Sequence, residues 1–258
     1  MGSALARGVV AGDVCLPGDI GLYDTESRVA RELAEALGAS VAAAAPALAA
    51  QSDVIVLCVK PKDAAGVLSP LRRELDGKLL VSIAAGISIA SMQSAVGAGC
   101  RIVRVMPNTP VMVGKGASAY ACGGGVTATD TDNVQKIFGS AGRAFRVEEG
   151  MLDAVTGLSG SGPAYVYLFI EALAEGGVAA GLPRELALAL AVQTVSGAAE
   201  MVEATKMSPA QLRDMVTSPG GTTVEGLAAL DRAGFAAAVK DAVVAAAKRS
   251  EELGRSNA

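Results

Sequence analysis

The sequence predicts an α/β domain built on a mostly parallel sheet, followed by an all-α domain. Three observations predict it. From Met1 to Glu149, short apolar runs alternate with segments of helical period, the pattern of βαβ units. The runs are apolar throughout rather than alternating, as strands covered on both faces require. Beyond Glu149 no convincing strand recurs, and long Ala/Leu/Val segments dominate. The expected division is residues 1–150 and 151–258.

Within the first part, strands are expected at Ile20–Tyr23, Ser40–Ala43, Asp53–Val59, Lys78–Ala84, Arg101–Val105, Ala117–Ala121 and Ala144–Val147. Helices are expected at Ser27–Leu37, ended by Gly38, and at Asp63–Leu75, Ser88–Val96 and Asp130–Phe138. The second part reads as helices at Pro163–Ala180, Pro183–Thr205, Pro209–Met215, Thr222–Arg232 and Phe235–Leu253. Prolines fit their starts and Gly181 fits a stop. Leu186–Ala199 carries no charge on any face. A helix apolar all round must be covered all round, so a partner subunit is expected.

Composition excludes several function classes. The 258 residues are 51% hydrophobic with a net charge of -4 and a pI near 5.0. Such a surface, without a basic run, argues against nucleic acid as a partner and against disorder. Met1–Gly12 lacks the layout of a secretory signal. The charge-free stretch Leu79–Cys100 is interrupted by Gly86 and reads as a buried strand plus a helix, not a membrane span. Cys15, Cys58, Cys100 and Cys122 are scattered, which suits a reduced, cytoplasmic protein. There is no histidine, so Ser-His and Cys-His nucleophiles and most zinc sites are excluded, and no metal is expected.

A sheet of this kind takes ligands at the carboxyl ends of its strands. Asp24 directly follows a strand and lies roughly 20 residues after Gly2, near the spacing between a dinucleotide glycine turn and its ribose-binding acid. It is either that acid or a turn residue. Val59-Lys60-Pro61 leaves the strongest strand; Lys60 is either a phosphate or substrate ligand or a solvated turn lysine. Ala84-Ala85-Gly86 would let a flat ring approach the backbone, or would merely permit a tight turn. Met106-Pro107-Asn108-Thr109-Pro110 is a rigid loop with two polar side chains. Leu158–Ala164 offers glycines and serines at a helix start, or a hinge. The sharpest element is Thr217–Leu227, where Ser218, Gly220, Gly221, Thr222 and Thr223 lead into a helix. Free amides and the positive dipole end make an anion site that suits a carboxylate, and Thr223 adds a hydroxyl. The bland reading is a helix N-capped by Thr.

Together RDMVTSPGGTTVEGL (Arg213–Leu227), AVTGLSGSGPAYVYLFIEAL (Ala154–Leu173), RVMPNTP (Arg104–Pro110) and DVIVLCVKP (Asp53–Pro61) resemble the pyrroline-5-carboxylate reductase family along nearly the whole chain. The resemblance implies a Rossmann-like dinucleotide-binding domain and a helical domain for dimerisation and substrate, with a homodimer that can assemble into a decamer. It implies hydride transfer from NADPH, or less efficiently NADH, to the C=N bond of a cyclic imino acid. By position, Ser218 and the amides of Gly221, Thr222 and Thr223 would hold the substrate carboxylate, and the Thr223 hydroxyl would bond the imine nitrogen. Lys60, Ala84, Ala85 and Asn108 would line the nicotinamide side. Gly2, Asp24, Thr25, Val59 and Pro61 complete the expected cofactor set. Asp24 favours a free ribose, whereas Thr25, Ser27 and Arg28 can accept a 2′-phosphate.

Two positions depart from the family pattern. Met1-Gly2 matches only the end of the family's first glycine turn, so the first, mid-sheet strand has no counterpart here and its neighbours are expected to lie unpaired. Met215 stands where relatives often have Asn. Two other readings are another imine or hydroxyacid reductase and a non-catalytic dimeric paralogue.

Overall fold

Leu79, Leu80, Val81, Ile102 and Val103 are fully buried, which places the expected both-face-covered sheet at the centre of the α/β part. A computed structural model describes residues 1–256. In chain order its elements are α1 (Gly2–Ala11), β1 (Gly21–Leu22), α2 (Ser27–Leu37), β2 (Ser40–Val41), α3 (Ala45–Gln51), β3 (Val54–Leu57), α4 (Pro61–Leu68), β4 (Leu79–Ser82), α5 (Ile89–Val96), β5 (Arg101–Met106), β6 (Gly116–Cys122), α6 (Ala128–Gly139), β7 (Gly142–Arg146) and α7 (Leu152–Val155). Then come α8 (Gly162–Ala179), α9 (Arg184–Thr205), α10 (Pro209–Met215), α11 (Thr222–Arg232) and α12 (Phe235–Ser256). No strand follows β7 among the described residues.

Period-two geometry sorts the strand side chains onto two layers. Leu80 and Ile102 face a core closed by Ala64 and Leu68 of α4 and Met92 and Val96 of α5. Leu79, Val81, Val103 and Val105 face Leu5 of α1 and Val134 and Phe138 of α6. Each fully buried Leu or Phe contributes about 2 kcal/mol by area. The strand order is β3-β4-β5-β6-β7. The pairings are parallel except β5–β6. That one is antiparallel because Pro107–Lys115 is shorter than the dozen or so residues a parallel crossover needs. The segment holds a 3₁₀ turn at Thr109–Val113 instead of a crossover helix.

β1 and β2 form a separate parallel pair. The sheet is thus in two pieces, and the edge of β3 away from β4 has no strand partner among the described residues. The sequence assigned no helix to Gly2–Ala11 or Ala45–Gln51, and both segments are helical. Neither is cued by charge. α1 is sorted by Leu5 and Val9, which are buried, and the alanine-rich α3 lacks a readable period.

The chain divides into two compact units, Met1–Ser161 with the residues from Val244 onward, and Gly162–Val243. The expected boundary at 150 falls earlier than this. Glu149–Gly160 stays with the sheet because Leu152 is buried in its core and Ser159 is tied to it. The end of α12 returns through a Ser250 Oγ to Asp153 Oδ1 hydrogen bond of 2.6 Å. In the helical unit the buried cluster is Ala174, Ala187 and Ala191, where α8 crosses α9 on small residues. Leu186, Leu188, Leu190, Val192 and Met201 of α9 lie exposed. α9 is the one described helix long and apolar enough to cross a membrane, with a mean hydropathy of 1.2.

Candidate functional site

In register, Leu57 lies opposite Ser82, and Ser82 opposite Arg104. The segments after β3, β4 and β5 therefore leave one edge of the sheet side by side. After β3, Val59 packs partly against the core. Lys60 is extended and exposed, and directly precedes Pro61 at the first turn of α4. After β4, Ala84 is only 2% exposed and belongs to the core, so of the expected alanine pair it is Ala85 that reaches the surface. The buried Ser82 hydroxyl accepts from the Ala84 amide at 3.2 Å, and Gly86 turns the chain with φ +73°, a conformation that favours glycine.

Asn108, expected on the nicotinamide side, is held from both ends of its side-chain amide. Its Nδ2 donates to the Ser159 carbonyl at 3.0 Å and its Oδ1 accepts from the Ala117 amide at 2.9 Å. Both ends of the amide are engaged within the protein, so Asn108 clamps the loop after β5 to the following turn. That turn, Thr156–Gly160, is π-helical and closes with Ser161 N donating to Thr156 O at 2.8 Å. A Cβ on Gly160 would lie 2.6 Å from Met106 Cε, the movable end of a flexible side chain. The ordered turn ends at Ser161, where the two compact units divide, inside the stretch Leu158–Ala164 that the sequence left open between a helix start and a hinge.

Gly2 begins α1 against the end of β3, where a Cβ would lie 3.1 Å from Cys58 Cβ and 3.2 Å from its Sγ. The first amides of a helix lack intrahelical acceptors, so α1 presents the Gly2 and Ser3 N–H groups at the carboxyl end of β3. A helix N-terminus there, beside small residues at Ala85 and Gly86, fits a dinucleotide pyrophosphate and ring. Asp24 Oδ1 accepts from the Glu26 amide at 2.8 Å, the turn bond of the bland reading. Thr25 is exposed, and Arg28 pairs with Glu32 at 3.0 Å.

In the helical unit, Gly220 has φ +69° and the extended Gly221 is the N-cap of α11, with no side-chain capping bond. The Thr N-cap reading therefore fails. The Gly221 amide, expected in the anion cradle, donates to Ser218 O at 2.9 Å in this structure. The Thr222 and Thr223 amides occupy the helix's first turn, without intrahelical acceptors. Ser218 and Thr222 are exposed and Thr223 is half-buried. Among the described residues no cluster of His, Cys, Asp and Glu could hold a metal.

The sequence pointed to neither Glu149 nor Arg104. Glu149 Oε1 accepts from the Ile89 amide at 2.7 Å and from Arg104 Nη1 at 3.2 Å. The signal available was only a charged residue, Arg104, between the apolar Val103 and Val105 of its strand.

Comparison with known proteins supplies the remaining findings. The family description "Pyrroline-5-carboxylate reductase dimerisation" matches residues 149–253, and "NADP oxidoreductase coenzyme F420-dependent" matches residues 1–86. A pyrroline-5-carboxylate reductase of Arabidopsis thaliana is 48% identical over 99% of this chain and 93% of its own length. The structure of a pyrroline-5-carboxylate reductase from Coxiella burnetii superposes with a TM-score of 0.93 at 33% identity, covering 98% of this chain and 94% of the other. The Plasmodium falciparum pyrroline carboxylate reductase solved with NADP bound superposes with a TM-score of 0.86 at 38% identity, covering 98% and 94%.

Proposed function

The chain belongs to the pyrroline-5-carboxylate reductase family, and from that membership we propose how its residues reduce 1-pyrroline-5-carboxylate to L-proline, the last step of proline biosynthesis. It is an NAD(P)H-dependent oxidoreductase acting on a C=N bond, and it carries the family's dimerisation region. The observation that carries the assignment of residues is the start of α11, where the Thr222 and Thr223 amides follow an uncapped Gly221. These amides and the Ser218 hydroxyl hold the substrate carboxylate. The Thr223 hydroxyl bonds the imine nitrogen.

The nicotinamide supplies the hydride. We assign it to the carboxyl edge of the sheet, along Lys60, Ala85 and the backbone at Ala84, with the amides of α1 at the pyrophosphate. A protonated imine already carries positive charge, so its reduction needs neither an oxyanion hole nor a histidine base, and positioning supplies the catalysis. Solvent supplies that one proton to nitrogen before hydride transfer, and hydride addition to carbon then completes the neutral amine. We assign NADPH as the preferred donor, supported by the NADP bound to the Plasmodium relative. Exposed Thr25 and nearby Ser27 and Arg28 would receive its 2′-phosphate. The exposed face of α9 supports a homodimer, which we take as the unit of a decamer. Four cysteines without disulfides support a cytoplasmic location.

Thr223→Ala tests the reading. Loss of one hydrogen bond to a charged group costs about 1.5–3 kcal/mol, or roughly 10- to 100-fold in turnover, with the fold and cofactor affinity retained. Turnover equal to that of the parent protein would remove the hydroxyl from the mechanism.

A further inference from the structure

Two of the segments that leave the carboxyl edge meet on one carboxylate. Glu149 lies in the 3₁₀ turn Glu149–Met151, just after β7. Its Oε1 accepts from the Ile89 amide at 2.7 Å and from Arg104 Nη1 at 3.2 Å. Ile89 is the first residue of α5, directly after Ala84–Ser88, and its amide has no acceptor inside the helix. The Ser88 hydroxyl is already used on the Ser91 amide at 3.0 Å. Arg104 lies on β5, two residues before Met106 and the Pro107-Asn108 loop, and its side chain is only 12% exposed. A largely buried guanidinium must keep a partner or move toward one.

We infer that Glu149 is a positioning residue that sets the cofactor-facing loop Ala84–Ser88 against strand β5. The inference rests on the assignment of that loop to the nicotinamide side. At its start the loop is held by Ser82 Oγ on the Ala84 amide, and in its middle by the left-handed Gly86. Glu149 is the hold at its far end. A carboxylate suits this place twice over, since negative charge is favoured at a helix N-terminus and the buried Arg104 needs a counter-charge. With Glu149 gone, the Ile89 amide loses its acceptor and Arg104 turns to a new one. The loop then samples arrangements in which Ala85 no longer lines a flat surface. Apparent affinity falls by the fraction of molecules that keep the competent loop.

The experiment measures the NADPH dissociation constant, the imino-acid KM and the melting temperature of four variants of the dimeric protein. Glu149→Ala should raise the NADPH constant about tenfold, as a competent fraction of about one tenth dictates, while the imino-acid KM stays within about twofold. Glu149→Gln keeps an acceptor for the Ile89 amide and should restore affinity to within about threefold of the parent. Asp130→Ala, which frees Arg101 at the opposite end of β5, should lower the melting temperature without weakening NADPH. Ala85→Leu should weaken NADPH by blocking the loop surface directly. If Ala85→Leu weakens NADPH and Glu149→Ala does not, the positioning role is wrong while the cofactor assignment stands. If Ala85→Leu has no effect, the loop does not face the cofactor and both fall. If Glu149→Ala and Asp130→Ala weaken NADPH equally at equal thermal loss, Glu149 is merely structural.

Discussion

Asp130 offers a quantitative test of how the sheet is held. Its carboxylate is 7% exposed and takes Arg101 Nε at 2.7 Å and Arg101 Nη2 at 3.2 Å. It also takes the Thr127 amide at 2.9 Å and the Thr127 hydroxyl at 2.8 Å, closing the capping box of α6. Asp130→Ala breaks a largely buried bidentate pair, which costs about 3–5 kcal/mol. Arg101 is 30% exposed and keeps the Gly77 carbonyl at 2.6 Å, so part of its charge is resolvated and the lower end applies. With the lost cap included, about 3 kcal/mol is expected, or a fall of roughly 6–12 °C in Tm for a chain of this size. Calorimetry at fixed protein concentration measures it, because the stability of an oligomer depends on concentration. The pH dependence has a definite sign. The Arg101 hydrogen bond above all holds Asp130 below its ordinary value of 3.8, against the opposing effect of burial. A lowered folded pKa means the stabilisation is fully present above 3.8 and is lost as pH falls through the folded value. The gap between parent and Asp130→Asn should therefore be widest near neutrality and close in acid. A drop of under about 3 °C, less than half that expected from the entropy scaling, or a gap that widens in acid, would refute this account.

Two further outcomes follow from the same geometry. Asn108→Ala leaves the Ser159 carbonyl and Ala117 amide without their partner and should cost about 2 kcal/mol, read as a lower Tm, with turnover falling further than stability because the π-helical turn loses its tie. Leu188→Asp combined with Val192→Asp puts two charges on the exposed face of α9 and should give a monomer by sedimentation at micromolar concentration, whereas an unchanged mass would show that this face is not the subunit contact.

Much of the fold was legible in the sequence because burial wrote it there. β4 is covered on both faces, and its Leu79-Leu80-Val81 run needs no other signal. α2 was bounded by Gly38, which takes the left-handed region at its end, and α10 was bounded by Pro209 at its start. Local chemistry failed where distance decided. Nothing near Pro107 announces that β6 runs antiparallel, since that depends on how few residues separate it from β5. At the site, the helix start after the glycine and threonine run could be read directly, because a glycine-led turn into a helix is a local device. The division of labour inside it could not. Only the structure shows that the Gly221 amide is spent on Ser218 and that Asn108 is a clamp. Glu149 was illegible for a related reason, since its two partners lie 60 and 45 residues away in sequence.

The proposed function asks an acidic chain to bind acidic ligands, and the assignment of those ligands to two helix starts meets that demand. Net charge of -4 gives a mildly repulsive long-range field, but that field is screened within about 8–10 Å at ordinary salt. Recognition of a pyrophosphate and a carboxylate is decided inside that distance. On the proposed assignment, the Gly2 and Ser3 amides of α1 would meet the pyrophosphate and those of Thr222 and Thr223 in α11 the carboxylate, each at a positive dipole end. Amides cannot be deprotonated or lost through a side-chain flip, and they place donors with the rigidity of the helix itself. A reaction that needs a hydride acceptor held within contact distance gains more from such fixed donors than from mobile lysines. On the proposed assignment, backbone amides at helix starts take the place of acid–base side chains, in keeping with the absence of histidine.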